Sequence, residues 1–340
     1  MKNLLKIQQK LIPQVIELME RRYSILRQIS ISEPIGRRTL SNVTGISERI
    51  VRSETEFLKE QNLIDVAVSG MTITREGFEL LDELKEIMND IMGLSTLQDR
   101  VRDKLGIKKV VLVPGSYDSN ETLLKDVARS GSEYFIDILK DGDIVSITGG
   151  STMLEFANSL KADKKYNDVV AVPARGSMGT DVDIQSNNIV ATISKKLNSK
   201  YKLLHIPDEL GEEAMKTLTQ EPQIKSTLDI IEKTDVLVFG IGRADEMATR
   251  RKLPKGQVEE IVSKGAVGEA FGHYFNKKGE IVCKLNTVGI NLETFKNVKE
   301  NIAIFAGTRK AEALIAMTNI NKNIVLITDE ESANKILDLI

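Results

Sequence analysis

Thr148, Gly149, Gly150, Ser151 and Thr152 follow the apolar run Ile144–Ile147 with two glycines and three hydroxyls. Glycine lets a main chain approach a ligand closely, and the unpaired N–H groups that open a helix attract an anion. The Ser151 and Thr152 hydroxyls add neutral donors. The pattern suits a phosphate group, and it equally suits an ordinary strand-to-helix turn with a Ser/Thr cap. It is neither a Walker loop nor Gly-x-Gly-x-x-Gly.

Three more apolar runs end in residues of the same kind. Val169–Val172 leads into Pro173-Ala174-Arg175-Gly176, with Gln185 beyond. Val236–Phe239 leads into Gly240-Ile241-Gly242-Arg243, then Arg250-Arg251, and Ile302–Phe305 leads into Ala306-Gly307-Thr308-Arg309-Lys310. Guanidinium binds phosphate bidentately, so cations over glycine turns point to a phosphorylated small molecule. Separate cations around Arg175 and around Arg250 and Lys310 suit two phosphates. The block Gly265–His273 is expected as a loop or short helix near the same edge. Its Glu269 is a candidate acceptor for sugar hydroxyls, or a plain surface carboxylate.

These loops need strands and helices to hold them. Val110–Val113, Ile144–Ile147, Val169–Val172, Lys202–Ile206, Val236–Phe239, Ile302–Phe305 and Ile324–Ile327 are predicted strands. Predicted helices run from 121 to 139, 152 to 160, 183 to 197, 222 to 233 and 310 to 317. Such alternation predicts a doubly wound, Rossmann-type α/β domain with a mainly parallel sheet, whose ligand lies outside the carboxyl ends of the strands.

The first part of the chain has a different texture. After Pro13, Val15, Ile16, Met19, Tyr23, Leu26 and Ile29 recur at helical spacing. Pro34 and Gly36 break the pattern, a short helix follows from Arg37, and Thr44-Gly45-Ile46-Ser47 turns into a third helix. Ser47 is its expected cap, and Ile50, Val51, Phe57 and Leu58 its inward face. A hairpin with Ser69-Gly70 at the tip completes a winged helix-turn-helix. Seven arginines and two glutamates between Arg21 and Ser53 make that stretch +5 in a chain of net charge −2. This is the electrostatic footprint of duplex DNA. Arg49, Arg52 and Ser53 are candidates for base edges, with Ser47 and Lys59 on the same helix and Arg37 and Arg38 on phosphates.

Leu80, Leu84, Ile87, Ile91, Leu94, Gln98, Val101 and Leu105 alternate at four and three residues. That seam predicts a dimerising linker, or a helix packed on its own domain and broken at Gly93. The expected domains are residues 1–92, DNA reader with linker, and 93–340, effector and oligomerisation domain. One cysteine among 340 residues excludes an intramolecular disulfide and fits the cytoplasm. Pro13 and the charges around it argue against a leader or membrane span. His205 and His273 are expected to be packed or surface residues and Cys283, within an apolar strand, a core thiol; neither a metal site nor a cofactor is expected.

In order along the chain, ERRYSILRQI, EPIGRRTLS, VSITGGST, VPARG, VFGIGRA, GEAFGHYFN and FAGTRKAEA resemble the SorC family of bacterial sugar-responsive transcription regulators. The resemblance spans essentially the whole chain. It implies a phosphosugar-isomerase-like effector domain that keeps the phosphate cradle and lacks catalysis. It further implies a repressor of a glycolytic operon, binding operator DNA as a dimer or tetramer and weakened by fructose 1,6-bisphosphate. By the same resemblance Gly149, Gly150, Ser151 and Thr152 would hold one phosphate, and Arg175 and Gln185 the other or its flank. Arg250 and Lys310 would add charge, and Glu269 would accept from sugar hydroxyls. Arg309-Lys310 departs from the pattern, with two cations where a single lysine is expected. Two rival readings are a sugar-phosphate isomerase or deaminase using Asp181, Asp183, Asp245 or Glu269 as base, and a regulator of a monophosphate such as deoxyribose phosphate.

Overall fold

The computed structural model describes residues 11–162, 165–166, 168–179 and 181–340. The expectation for the first ten residues lies outside them. The chain divides between Leu97 and Gln98 into two units.

The first unit begins with helices α1 (Pro13–Ser32), α2 (Arg37–Thr44) and α3 (Glu48–Glu60). Pro13 opens α1, where a missing N–H costs no hydrogen bond. Gly45, at φ 69°, ends α2 in the left-handed conformation that glycine adopts without strain. Strands β1 (Ile64–Ala67) and β2 (Gly70–Ile73) form the antiparallel wing, and Ile35 bridges to Met71 beside it. Helix α4 (Arg75–Ile91) follows, capped by the Thr74 hydroxyl. Ile25, Leu26, Ile29, Leu40, Val51, Leu58, Ile64 and Met71 form one buried core. This is the expected winged helix-turn-helix.

The predicted seam is used inside the chain. Leu84, Ile87 and Ile91 pack with Ile16, Met19 and Tyr23 of α1, and Leu80 packs on the core of the reader. The helix breaks at Met92-Gly93, and α5 (Leu94–Leu105) carries the rest, with Leu94, Leu97, Val101 and Leu105 buried. Gln98, the polar seam position, accepts the Leu112 N–H at 3.1 Å. Of the two readings of the seam, the structure shows packing within the chain with a break at Gly93.

The second unit is built on seven parallel strands: β3 (Lys109–Val113), β4 (Ile144–Ile147), β5 (Val170–Pro173), β6 (Lys200–Tyr201), β7 (Val236–Gly240), β12 (Glu300–Ile304) and β13 (Ile324–Asp329). Their order is β3-β13-β12-β7-β4-β5-β6. The winding reverses between β4 and β7, which pair directly. Helices α6 (Leu123–Ile138), α7 (Ser151–Ser159) and α8 (Ser186–Leu197) belong to the β3–β6 half. Phe135 and Phe156 meet edge to face at 5.5 Å in a core that includes Val145, Ile147, Val238 and Ile304. No helix among the described residues is long and apolar enough to cross a membrane.

Three expectations change. The predicted strand Lys202–Ile206 is irregular, because the Asn187 amide takes both the N–H and the C=O of Leu204. The helix predicted from Asp183 starts at Ser186, since Asp181 and Asn188 turn residues 182–183 aside. The block Gly265–His273 is neither loop nor helix but the pairing of β9 (Ala266–Ala270) with β10 (His273–Asn276). With β8 (Gly242–Arg243) and β11 (Ile281–Lys284) it forms a second, antiparallel sheet, β11-β10-β9-β8. Phe271 and Gly272, at φ 52° and 76°, supply the two positive dihedrals of a tight hairpin turn. Cys283 lies on β11, half-buried and not a core thiol.

Candidate functional site

At the reversal point between β4 and β7 the connections diverge to opposite faces and leave a crevice. One pocket opens there. All nine residues expected around a sugar phosphate line it: Gly149, Gly150, Ser151, Thr152, Arg175, Gln185, Arg250, Glu269 and Lys310. Met178, Ile184, Phe239, Ile241, Met247 and Phe271 supply apolar wall, and Glu246 a carboxylate.

The first wall is the β4–α7 turn. Thr148 donates its N–H to Val238, and its hydroxyl accepts from Gly240, which ties β4 to β7 at the floor. A Cβ on Gly149 would stand 2.7 Å from the Ile184 carbonyl, so only glycine allows this approach. Gly150, at φ 115°, donates to that carbonyl. Helix α7 then starts at Ser151 with no side chain capping it. Its first N–H groups and the Ser151 and Thr152 hydroxyls are the donors an anion needs.

The second wall is cationic. Lys310 closes the turn Thr308–Lys310 after β12, half-buried, and its ammonium has no ion pair among the described residues. Burial lowers its pKa below the ordinary lysine value; Glu246 opposes the shift, while Arg250 and Arg309 add to it. An anion in the pocket would relieve that penalty. Arg250, at the end of helix Ala244–Arg250, is exposed and likewise without an ion pair among the described residues. Arg309 lies 3.4 Å from Glu246 at the mouth.

The third wall differs from the sequence expectation. Arg175 does not face a phosphate site freely: its guanidinium is held by Asp208, Nε to Oδ1 at 2.9 Å and NH2 to Oδ2 at 2.7 Å. Glu269 also has partners within the protein: its Oε1 accepts from Arg251 at 3.1 Å and from the Gly272 N–H at 3.0 Å. Arg251 also donates to Asp208 at 2.6 Å. Two guanidinia and two carboxylates thus form a cluster with side chains almost wholly buried, Arg251 at 1%, and Glu209 stands 3.6 Å from Arg251 at its edge. The physical reason is burial, since a buried charge requires a partner. Burial pushes the Asp208 carboxyl up, but Arg175 and Arg251 outweigh it and hold it below the usual carboxylate range. Gln185 clasps its own loop, accepting from Met178 N–H and donating to Met178 C=O. Arg175, Glu269 and Gln185 therefore shape the pocket wall.

Asp208, Arg251 and Glu246 were not foreseen. Asp208 sits in an irregular stretch with no motif, and its partners lie 33 and 43 residues away. Only the doublet Arg250-Arg251 hinted at a second role.

In the reader, Arg49, Arg52 and Ser53 share the exposed face of α3 and Lys59 lies exposed near its end. Ser47 occupies the cap position of α3, yet its exposed hydroxyl makes no capping bond. Arg37 and Arg38 open α2 without ion-pair partners among the described residues. The +5 footprint shrinks in three dimensions: Arg21 and Arg22 face Glu54, one residue beyond the counted stretch, and Arg52 pairs with Glu56. The wing carries no lysine or arginine between residues 60 and 74.

A helix-turn-helix reader joined to an α/β unit with a ligand crevice defines a DNA-binding regulator that carries its own sensor. The chain belongs to the SorC family of transcriptional regulators: the CggR N-terminal DNA-binding domain matches residues 18–88 and the family's sugar-binding domain residues 89–338. It is 41% identical over 338 residues to the Central glycolytic genes regulator of Priestia megaterium, covering 99% of each chain. It is 40% identical over 337 residues to the protein of that name from Bacillus subtilis, again covering 99% of each. Among solved structures, a SorC family regulator from Enterococcus faecalis superimposes with a TM-score of 0.65 at 31% identity, over 71% of this chain and 99% of that one.

Proposed function

We propose that this protein is a cytoplasmic repressor of glycolytic genes that binds operator DNA as a homo-oligomer and releases it when fructose 1,6-bisphosphate fills the sensor pocket. The observation that carries this reading is the pair of anion-ready walls in one crevice. The uncapped start of α7 faces in beside Thr152, and Lys310 and Arg250, without ion pairs among the described residues, line the same space. Two poles suit two phosphates better than one. Relatives that share about two fifths of the sequence are Central glycolytic genes regulators, which supports the choice of sugar. Effector binding would weaken operator affinity by a coupling free energy of about 1–3 kcal/mol.

The isomerase or deaminase reading needs a free base in the pocket. Glu269 engages Arg251 and Gly272 through Oε1, Asp245 is held bidentately by Arg243 at 3.0 and 2.6 Å, and Glu246 stands 3.7 Å from Arg243 and 3.4 Å from Arg309. Asp181 and Asp183 are exposed. We therefore read the protein as a sensor without turnover.

The test is a thermal-shift panel with fructose 1,6-bisphosphate, fructose 6-phosphate, glucose 6-phosphate, dihydroxyacetone phosphate and deoxyribose 5-phosphate. A ligand at about 100 times Kd stabilises by roughly 2.7 kcal/mol. A shift confined to the bisphosphate, with release of bound DNA, supports the proposal. A shift confined to a monophosphate replaces the effector, and conversion of any panel sugar makes the protein an enzyme.

A further inference from the structure

Helix α3 buries four side chains, Val51, Glu54, Thr55 and Leu58, and one of them is a carboxylate. A glutamate on the inward stripe of a helix is costly unless it is paired. Glu54 is paired from outside its helix. Arg22 of α1 donates from Nε to Oε2 at 2.8 Å, and Arg21 stands 3.6 Å from Oε1. The Arg22 guanidinium also lies over the Phe57 ring, 3.5 Å from its centroid. Glu54 and Phe57 are three residues apart and so neighbours on one face of α3. A single side chain of α1 thus straddles both.

From this arrangement we infer that Arg22 is a positioning residue for DNA reading. It fixes the rotation and axial register of α3 and touches no phosphate itself. Apolar packing is non-directional and tolerates small rotations of a helix, whereas a hydrogen bond and a stacked ring do not. Side chains reach about 5–6 Å from a helix axis, so a rotation of about 20° moves their tips by roughly 2 Å. That displacement breaks a hydrogen bond to a base edge. Arg49 and Arg52, on the far side of α3 from Glu54, and Ser53, one turn before Phe57, are the exposed side chains whose aim would be lost. Non-specific attraction to the duplex depends on charge and tolerates such a rotation.

The test uses the full chain, a duplex selected by the wild-type protein from a randomised library, and a scrambled duplex of equal length. Binding is measured across a salt series. Arg22→Gln is expected to lose about tenfold or more on the selected duplex and about twofold or less on the scrambled one, with the dependence of log K on log salt unchanged. Glu54→Gln is expected to do the same, and Arg22→Gln combined with Glu54→Gln to recover part of the loss. A slope reduced by about 0.9 would make Arg22 a phosphate contact and overturn the inference. Equal losses on both duplexes, or no loss on either, would overturn it too. Should Arg22→Gln fail to fold, Arg22→Lys keeps the charge and loses the straddling geometry. The inference then requires the selected duplex to lose affinity at unchanged slope, and wild-type selectivity in Arg22→Lys ends it.

Discussion

Arg175 and Asp208 meet in a two-bond ion pair inside the pocket wall, with 13% and 2% of their side chains exposed. Arg251 donates to the same Asp208 Oδ2, and Glu269 balances the charge. Replacing Asp208 by Asn would leave two buried guanidinia with one carboxylate between them. Breaking a buried pair by removing one partner costs about 3–5 kcal/mol, so Asp208→Asn should lower the unfolding free energy of the sensor unit by that order, read as a lower urea midpoint at unchanged m. Because the Asp208 carboxyl is depressed when folded, its contribution is present above the pKa of the unfolded chain and is lost as pH falls through the folded value. The acid limb of wild-type stability should therefore flatten in Asp208→Asn. A variant as stable as wild type at pH 7 would show that the cluster is not structural.

Lys310 gives a pH signature at the opposite end. Its lowered pKa means it sheds its proton at a lower pH than an ordinary lysine. Sugar bisphosphate affinity should fall as pH rises through that value, and proton uptake should accompany binding on the alkaline side. The variant Lys310→Arg stays charged and should move the fall to higher pH. Calorimetry in two buffers of different ionisation enthalpy reads the uptake directly. Complete pH independence across the alkaline range would remove Lys310 from the binding site.

Gly149 admits no side chain, because its Cβ would press on the Ile184 main chain rather than on a flexible tip. Gly149→Ala must push the β4–α7 turn and the Ile184 segment apart. Overpacking of this kind costs about 1–3 kcal/mol. Loss of the effector-induced thermal shift is expected together with a measurably lower melting temperature without effector.

Gln98 protects an edge. Leu112 is buried on β3, an outer strand of the sheet, and its N–H has the Gln98 side chain as acceptor. Gln98→Leu would strand that donor at a cost of about 1–3 kcal/mol. Faster hydrogen exchange at the Leu112 amide, with operator contacts unchanged, is the expected result. Equal exchange rates would mean another acceptor takes over.

The cations of the reader should separate by role. Arg38→Ala is expected to weaken selected and scrambled duplexes alike and to lower the salt slope by about 0.9. Arg49→Ala is expected to cost about 1–3 kcal/mol on the selected duplex and to relax preference at one base position. Identical behaviour of the two variants would refute the division into phosphate and base contacts.

Much of the molecule is legible in the order of its residues. Apolar runs ending in glycine, hydroxyl and cationic residues determined a parallel sheet with a ligand edge, because strand periodicity and turn chemistry are local properties. Helical spacing and the Gly45 turn did the same for the reader. Most of the pocket residues were legible as neighbours, since they follow a strand end or its loop and the parallel strand ends share one edge, whereas Glu269 lies within β9 of the second sheet and Arg250 ends a helix. What the side chains do there was not legible. Arg175 looks like a phosphate ligand until Asp208, 33 residues on, is folded against it. Arg21 and Arg22 look like DNA contacts until Glu54 is brought across from α3. The seam through Gln98 looks like a coiled coil until α1 and β3 supply its partners. In each case the sequence by itself determined the type and place of the charge or apolar face. Only the tertiary structure decided its partner, because pairing depends on distances between segments remote along the chain and on how deeply folding removes them from water.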